Sequence, residues 1–179
     1  MSKEFSRILP GLLGSLSEVL QLDLSLNQHR GEYEDSLCLH HYPVTKRVER
    51  NPAHKDFGIL TLLIQEHNES SNGLEIADLT STDAKPSLDI NDNARFVPVY
   101  PEADDIIVFV GISLKRLARK AQFTPGVHRV VAPPDSMPQT SRYSIAYFVH
   151  PDARTKLDGK GETAGEYLRR RRELSHISS

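Results

Sequence analysis

Residues 57–65 read Phe57-Gly58-Ile59-Leu60-Thr61-Leu62-Leu63-Ile64-Gln65. The stretch is short, mostly apolar and rich in β-formers, which predicts a buried strand. Comparable signals recur on both sides. Ser36 to Tyr42 (SLCLHHY) runs into Pro43 and predicts a strand closed by a turn; Gly73 to Ala77 (GLEIA) predicts a shorter one. Arg95 to Tyr100 and Ile106 to Val110 follow, separated by Pro101-Glu102-Ala103-Asp104-Asp105, a turn by composition. Val127 to Ala132 and Arg142 to Val149 complete the set. Seven short strands divided by turn signals predict a mainly β fold, a sandwich or barrel, rather than βαβ units. Residues 78–94 are polar without periodicity and predict a long loop, and residues 133–141 (PPDSMPQTS) predict a second.

Outward from this core the chain changes character. Phe5, Ile8, Leu9, Leu12, Leu13, Leu16, Val19 and Leu20 recur at helical spacing. Polar Ser15, Ser17 and Glu18 interrupt the run, so it predicts an amphipathic helix packed on the fold rather than a secretory signal. Pro10, Gly11 and Gly14 weaken its first half, leaving residues 11–21 as the stronger part. At the other end Thr163-Ala164-Gly165-Glu166 has capping-box spacing, and Tyr167 to Leu174 continue as a helix. The expected organisation is a helical segment over 1–35, a β core over 36–152, and a C-terminal helix with a basic tail over 153–179.

Of 179 residues, 22 are Lys or Arg and 24 Asp or Glu, a net charge of −2 that makes no global case for nucleic-acid binding. The run Arg169 to Arg172 reads as a solvated helix end, with a nuclear address or nucleic-acid contact as the competing reading. No run of 18 apolar residues occurs, so no membrane-spanning helix is expected. Cys38 is the one cysteine, which rules out an intrachain disulfide and fits a reducing, cytoplasmic setting.

Four side chains carry candidate chemistry. In His54-Lys55-Asp56 an extended backbone points His54 and Asp56 to one face. An imidazole and a carboxylate together make half a metal site, and His128 in Val127-His128-Arg129-Val130-Val131 is the natural third ligand. Two histidines and one carboxylate form the facial triad of non-haem iron(II). Alone the His-x-Asp pair is weak, and surface hydrogen bonding by loop residues competes with it. Arg142 and Ser144 share a strand face with Ala146 and Phe148. An arginine on an inward face needs an anionic partner. A bound carboxylate, gripped by the guanidinium fork, is one reading; an internal salt bridge to a protein carboxylate is the other.

Taken in order, His41-Tyr42-Pro43, His54-x-Asp56-x-Gly58-x-x-Thr61-Leu62-Leu63-x-Gln65, Gly73-Leu74, Phe96-x-Pro98-Val99, Val108-x-Val110-Gly111, His128-Arg129-Val130-Val131 and Arg142-Tyr143-Ser144-Ile145-Ala146-Tyr147-Phe148 resemble the 2-oxoglutarate and iron(II)-dependent dioxygenases of the isopenicillin N synthase-like family. The resemblance runs from about Leu37 to Pro151, and its wording is most similar to fungal members. It implies a double-stranded β-helix, or jelly roll. It implies His54, Asp56 and His128 as iron ligands, Arg142 and Ser144 on the distal carboxylate of 2-oxoglutarate, and a further hydrogen bond from Tyr42. The implied reaction decarboxylates 2-oxoglutarate to succinate and carbon dioxide while a small organic molecule, in secondary metabolism, is hydroxylated, desaturated or cyclised with dioxygen.

The chain departs from the family pattern in several places. Members usually carry a long N-terminal region ahead of the helix that precedes the His-Tyr-Pro strand. His40 stands where asparagine is common, and Ile112 where aspartate is common after the glycine. The 78–94 and 133–141 loops lengthen the spans to His128 and Arg142, and Thr124-Pro125-Gly126 is an unusual approach to His128. Two rivals therefore stand beside the dioxygenase expectation. One is an isopenicillin N synthase-type oxidase that uses the iron without 2-oxoglutarate, and the other a catalytically silent relative serving as a binding module.

Overall fold

A computed structural model describes residues 2–24, 35–45, 49–66, 73–78, 94–121, 123–158 and 161–177. The elements in chain order are α1 (Ser2–Leu20), β1 (Ser36–Tyr42), β2 (Glu49–His54), β3 (Leu60–Gln65), β4 (Leu74–Ala77), β5 (Phe96–Pro98), β6 (Ile107–Val110), α2 (Ile112–Leu117), β7 (His128–Val131), β8 (Arg142–Val149) and α3 (Ala164–Ile177). Among the described residues eight strands form two four-stranded sheets of order β1-β8-β3-β6 and β2-β7-β4-β5. Every pairing is antiparallel. This is the jelly-roll architecture that the family resemblance implies, and it fits the sandwich or barrel that the strand pattern predicts. Most of the 78–94 segment lies outside the described residues.

The continuous apolar run over residues 57–65 has a packing cause. β3 is interior to its sheet, between β8 and β6, and both its faces are covered. Leu60 and Leu62 join Phe5, Leu9 and Leu13 of α1, with Leu114, Tyr147 and Val149, in one core cluster. Leu63 instead joins Leu74, Phe109, Val130 and Ala146 in a second cluster between the two sheets. A strand covered by a helix on one side and a sheet on the other has no solvent face and so no alternation of apolar and polar residues. β1, at the sheet edge, alternates half-buried Ser36, Cys38, His40 and Tyr42 with exposed Leu37, Leu39 and His41.

α1 extends through the first half that Pro10 and the glycines weaken by propensity. Phe5 is buried and stacks on Tyr147 with ring centroids 4.9 Å apart. Burial of this face outweighs the local propensity cost, which amounts to about 1 kcal/mol for a helical glycine. The C-terminal helix has the expected cap: the Thr163 N–H and hydroxyl both donate to Glu166 Oε2, and the Glu166 N–H donates back to Thr163 Oγ1. Within the arginine run, Arg170 donates to Glu162 at 2.8 Å and Arg171 lies over the Phe57 ring. These two cations fold back onto the protein.

Two elements escape sequence reading. β2 (ERNPAH) contains Pro52 and carries no apolar alternation. It is an edge strand, where a missing backbone donor is tolerated, and its register against β7 shifts twice between Glu49 and His54. α2 is a six-residue helix that seats Ser113 and Leu114 in the interior. The expected 57–65 strand begins at Leu60, because residues 57–59 bend at a crowded junction. There a Cβ on Gly111 would collide with the Gly58 carbonyl. Ile112, the residue after that glycine, packs against the cluster of Leu157, Ala164 and Tyr167. Among the described residues no helix is long and apolar enough to cross a membrane.

Candidate metal and carboxylate site

β2 ends at His54, and Asp56 follows two residues later before the bend. Across the sheet, His54 pairs in register with His128 at the start of β7. The β2–β7 pairing thus joins two parts of the chain that are distant in sequence. His54, Asp56 and His128 each offer a ligand atom, and these atoms lie within 4.8 Å of one another. Asp56 Oδ1 stands 3.8 Å from His54 Nε2 and 3.9 Å from His128 Nε2. Those separations are too long for hydrogen bonds. They fit donors flanking one ion through bonds of about 2 Å each.

The surroundings fix all three groups. His54 Nδ1 lies 2.7 Å from the Pro52 carbonyl and His128 Nδ1 3.2 Å from the Gly126 carbonyl. Each Nδ1–H donates to a backbone oxygen two residues upstream, which leaves each Nε2 lone pair free for a metal. Phe109 stacks on the His128 ring at 4.3 Å. Burial, reinforced by neighbouring His54, holds His128 below the ordinary histidine range. Asp56 is buried, and the Thr61 hydroxyl donates to its Oδ2 at 2.6 Å, leaving Oδ1 facing the two imidazoles. Pro125 is fully buried beside this strand, and the unusual Thr124-Pro125-Gly126 approach leaves His128 within the cluster.

Arg142 occupies the first position of β8 and is only 3% exposed. One of its terminal nitrogens donates to Ser144 Oγ at 3.1 Å and the other to Gln65 Oε1 at 2.7 Å. The guanidinium lies 5.0 Å from the Tyr42 ring centroid. Among the described residues no carboxylate stands within ion-pair distance of it, so the internal salt bridge set against ligand binding is not formed there. Burial pulls Arg142 below the ordinary arginine range, opposed by Tyr42 and by Glu66 from beyond contact. Its Nε and the neighbouring Gln65 Nε2 are buried without a hydrogen-bond partner among the described residues. A buried cation with spare donors and no carboxylate in contact among the described residues can receive an anion.

All six residues singled out from sequence (Tyr42, His54, Asp56, His128, Arg142 and Ser144) line one partly open cavity of about 60 Å³. Leu63, Leu74, Phe109, Val130 and Phe148 supply apolar walls. His40 also lines it, held below the usual histidine range by burial and then by Arg142. Sequence reasoning left Thr61 and Gln65 without roles. Their signal was present: they are the two polar residues, four apart and so on one face, of an otherwise apolar β3, where a buried polar group needs a partner.

A jelly roll with a His-x-Asp…His cluster and a buried arginine in one cavity defines a class of non-haem metal oxygenase. Residues 33–151 match the model of the 2OG-Fe(II) oxygenase superfamily, and the chain belongs to that family. It is 37% identical over 131 residues to the 2-oxoglutarate-Fe(II) type oxidoreductase ppzD of Metarhizium majus, an alignment covering 69% of this chain and 33% of the relative. It is 31% identical over 160 residues to the 2-oxoglutarate-dependent dioxygenase gloF of Glarea lozoyensis, covering 82% of this chain and 44% of that protein. The fold superposes on a full-length Neurospora crassa protein crystallised in complex with alpha-KG, with a TM-score of 0.57 and 25% identity, over 79% of this chain and 44% of that one. The chain thus spans less than half the length of these relatives.

Proposed function

We propose that this protein is a 2-oxoglutarate- and Fe(II)-dependent dioxygenase that oxidises a small organic molecule of fungal secondary metabolism by hydroxylation, desaturation or ring closure. One observation carries the reading: the three convergent ligand atoms and the buried Arg142, which has no carboxylate within ion-pair distance among the described residues, line the same cavity. That is the pairing needed to hold a metal and the far end of a dicarboxylate together.

In this reading His54, Asp56 and His128 hold the iron, and Arg142, Ser144 and Tyr42 hold the distal carboxylate of 2-oxoglutarate. Bound iron supplies dioxygen activation coupled to oxidative decarboxylation. The protein's own residues orient the donors and line the site. Pro52 and Gly126 carbonyls set the imidazole tautomers. Thr61 turns one carboxylate oxygen of Asp56 towards the histidines. Phe109 and the leucine walls give the reacting face an apolar lining. Core residues 36–152 carry this chemistry, with segments 1–35 and 153–179 as packing supports, and the protein acts in the cytoplasm with dioxygen and a small-molecule substrate as its partners.

The test is stoichiometric. Protein reconstituted with Fe(II) is supplied with 2-oxoglutarate, and dioxygen uptake and succinate release are followed together. Succinate formed in step with oxygen consumed is expected. Oxygen uptake without succinate would favour the 2-oxoglutarate-independent oxidase, and no uptake the silent binding module.

A further inference from the structure

The function of Gln65 follows from what it is not. It ends β3 in register with Ser144 of β8, and its Oε1 takes a hydrogen from Arg142 at 2.7 Å. Both side chains are buried. A glutamate has nearly the same shape and would meet the guanidinium with a carboxylate, forming the paired arrangement that arginine strongly favours. The chain instead sets a neutral amide there, beside the neutral Ser144 hydroxyl and the Tyr42 ring. Glu66, the next residue, accepts the Tyr143 N–H and acts on Arg142 only from beyond contact. Arg50, another cation acting on Arg142, adds to the positive character.

We propose that Gln65 is a positioning residue that fixes the Arg142 fork while leaving its charge uncompensated, so that an external carboxylate, the distal group of a 2-oxo dicarboxylic acid, becomes its counter-ion. The amide holds the guanidinium in place by accepting one donor. It supplies no negative charge that the ligand would have to displace. Among the described residues Arg142 Nε and Gln65 Nε2 have no hydrogen-bond partner, so donors outnumber acceptors around the guanidinium, and a carboxylate corrects that imbalance. The cost of an unneutralised buried cation falls on the ligand-free protein and is recovered on binding. This inference rests on the proposed role of Arg142 in cosubstrate binding.

The test compares Gln65→Glu, Gln65→Met and Arg142→Ala with the parent protein. Two readouts are taken: the melting temperature without ligand, and 2-oxoglutarate affinity by calorimetry on Fe(II)-loaded protein under argon. Gln65→Glu is expected to melt no lower than the parent, because the new carboxylate pairs internally, and to lose at least about 30-fold in affinity. Gln65→Met, which lacks the charge, is expected to lose less than about 10-fold. A merely structural Gln65 would lower the melting temperature and spare affinity, and that result overturns the proposal. So does equal loss in the Glu and Met variants, or misfolding of Gln65→Glu. If Arg142→Ala loses affinity while Gln65→Glu binds like the parent, the role of Gln65 alone fails. If Arg142→Ala binds like the parent, the cosubstrate reading fails first.

Discussion

The Thr61 hydroxyl donates to Asp56 Oδ2 at 2.6 Å, five residues apart in sequence and on opposite sides of the bend at residues 57–59. Both residues are buried. This one bond decides which carboxylate oxygen faces the histidines. Thr61→Val keeps the shape and removes the donor. It is expected to weaken metal binding by about 10- to 100-fold, the usual loss when a group that orients a ligand is removed. Thr61→Ser should restore most of it. Titration with Fe(II) under argon reads both.

Removing a ligand itself should be more severe. His54→Ala and Asp56→Ala are each expected to abolish specific iron binding, because two remaining donors from this cluster make an open, weak site. His128→Ala should do the same, and none of the three should unfold the protein, since the main apolar clusters lie elsewhere. Metal content after gel filtration, with circular dichroism as the folding control, checks this. Retention of one iron per chain in any of them would remove that residue from the site.

Arg142→Ala is expected to spare iron and weaken 2-oxoglutarate by about 2–5 kcal/mol, the range for truncating one side of a buried charged pair. Calorimetry on the iron-loaded variant measures it. Unchanged affinity would detach Arg142 from the cosubstrate.

The junction behind Asp56 is backbone against backbone. The Ile112 N–H donates to the Asp56 carbonyl at 2.8 Å and the Gly111 N–H to the Ile59 carbonyl at 2.9 Å. Gly111→Ala would drive a methyl group into the Gly58 carbonyl. Loss of both thermal stability and iron affinity is expected, because the strain is relieved only by moving the segment that carries Asp56. A melting curve and an iron titration on the same preparation test the coupling.

α1 contributes through packing alone. Phe5→Ala removes a buried ring stacked on Tyr147 and should cost about 3–5 kcal/mol of stability. Denaturant unfolding gives the number, and iron affinity per folded molecule should not change.

Local composition was enough to read much of this protein. Ser36–Tyr42 and Arg142–Val149 were legible to the residue. Each is bounded by turn formers, and the inward residues of β8 announce themselves as Arg142 and Ser144 two apart. The capping box at Thr163 was legible because its hydrogen bonds span only three residues. The ordered motifs implied both the jelly roll and the six residues that line the cavity.

What local reading could not supply depends on neighbours distant in sequence. β2 has no pattern of its own and exists because β7 offers it a partner. Pro10 and the nearby glycines argue against a helix whose buried face then overrides them. Thr61 and Gln65 are ordinary polar residues until the fold places Asp56 behind one and Arg142 beside the other. Residue types and short spacings determined the donors. The meeting of His54 with His128, and the lack of a carboxylate within ion-pair distance of Arg142 among the described residues, were decided by sheet pairing. Only tertiary structure sets which charges meet and which are left for a ligand.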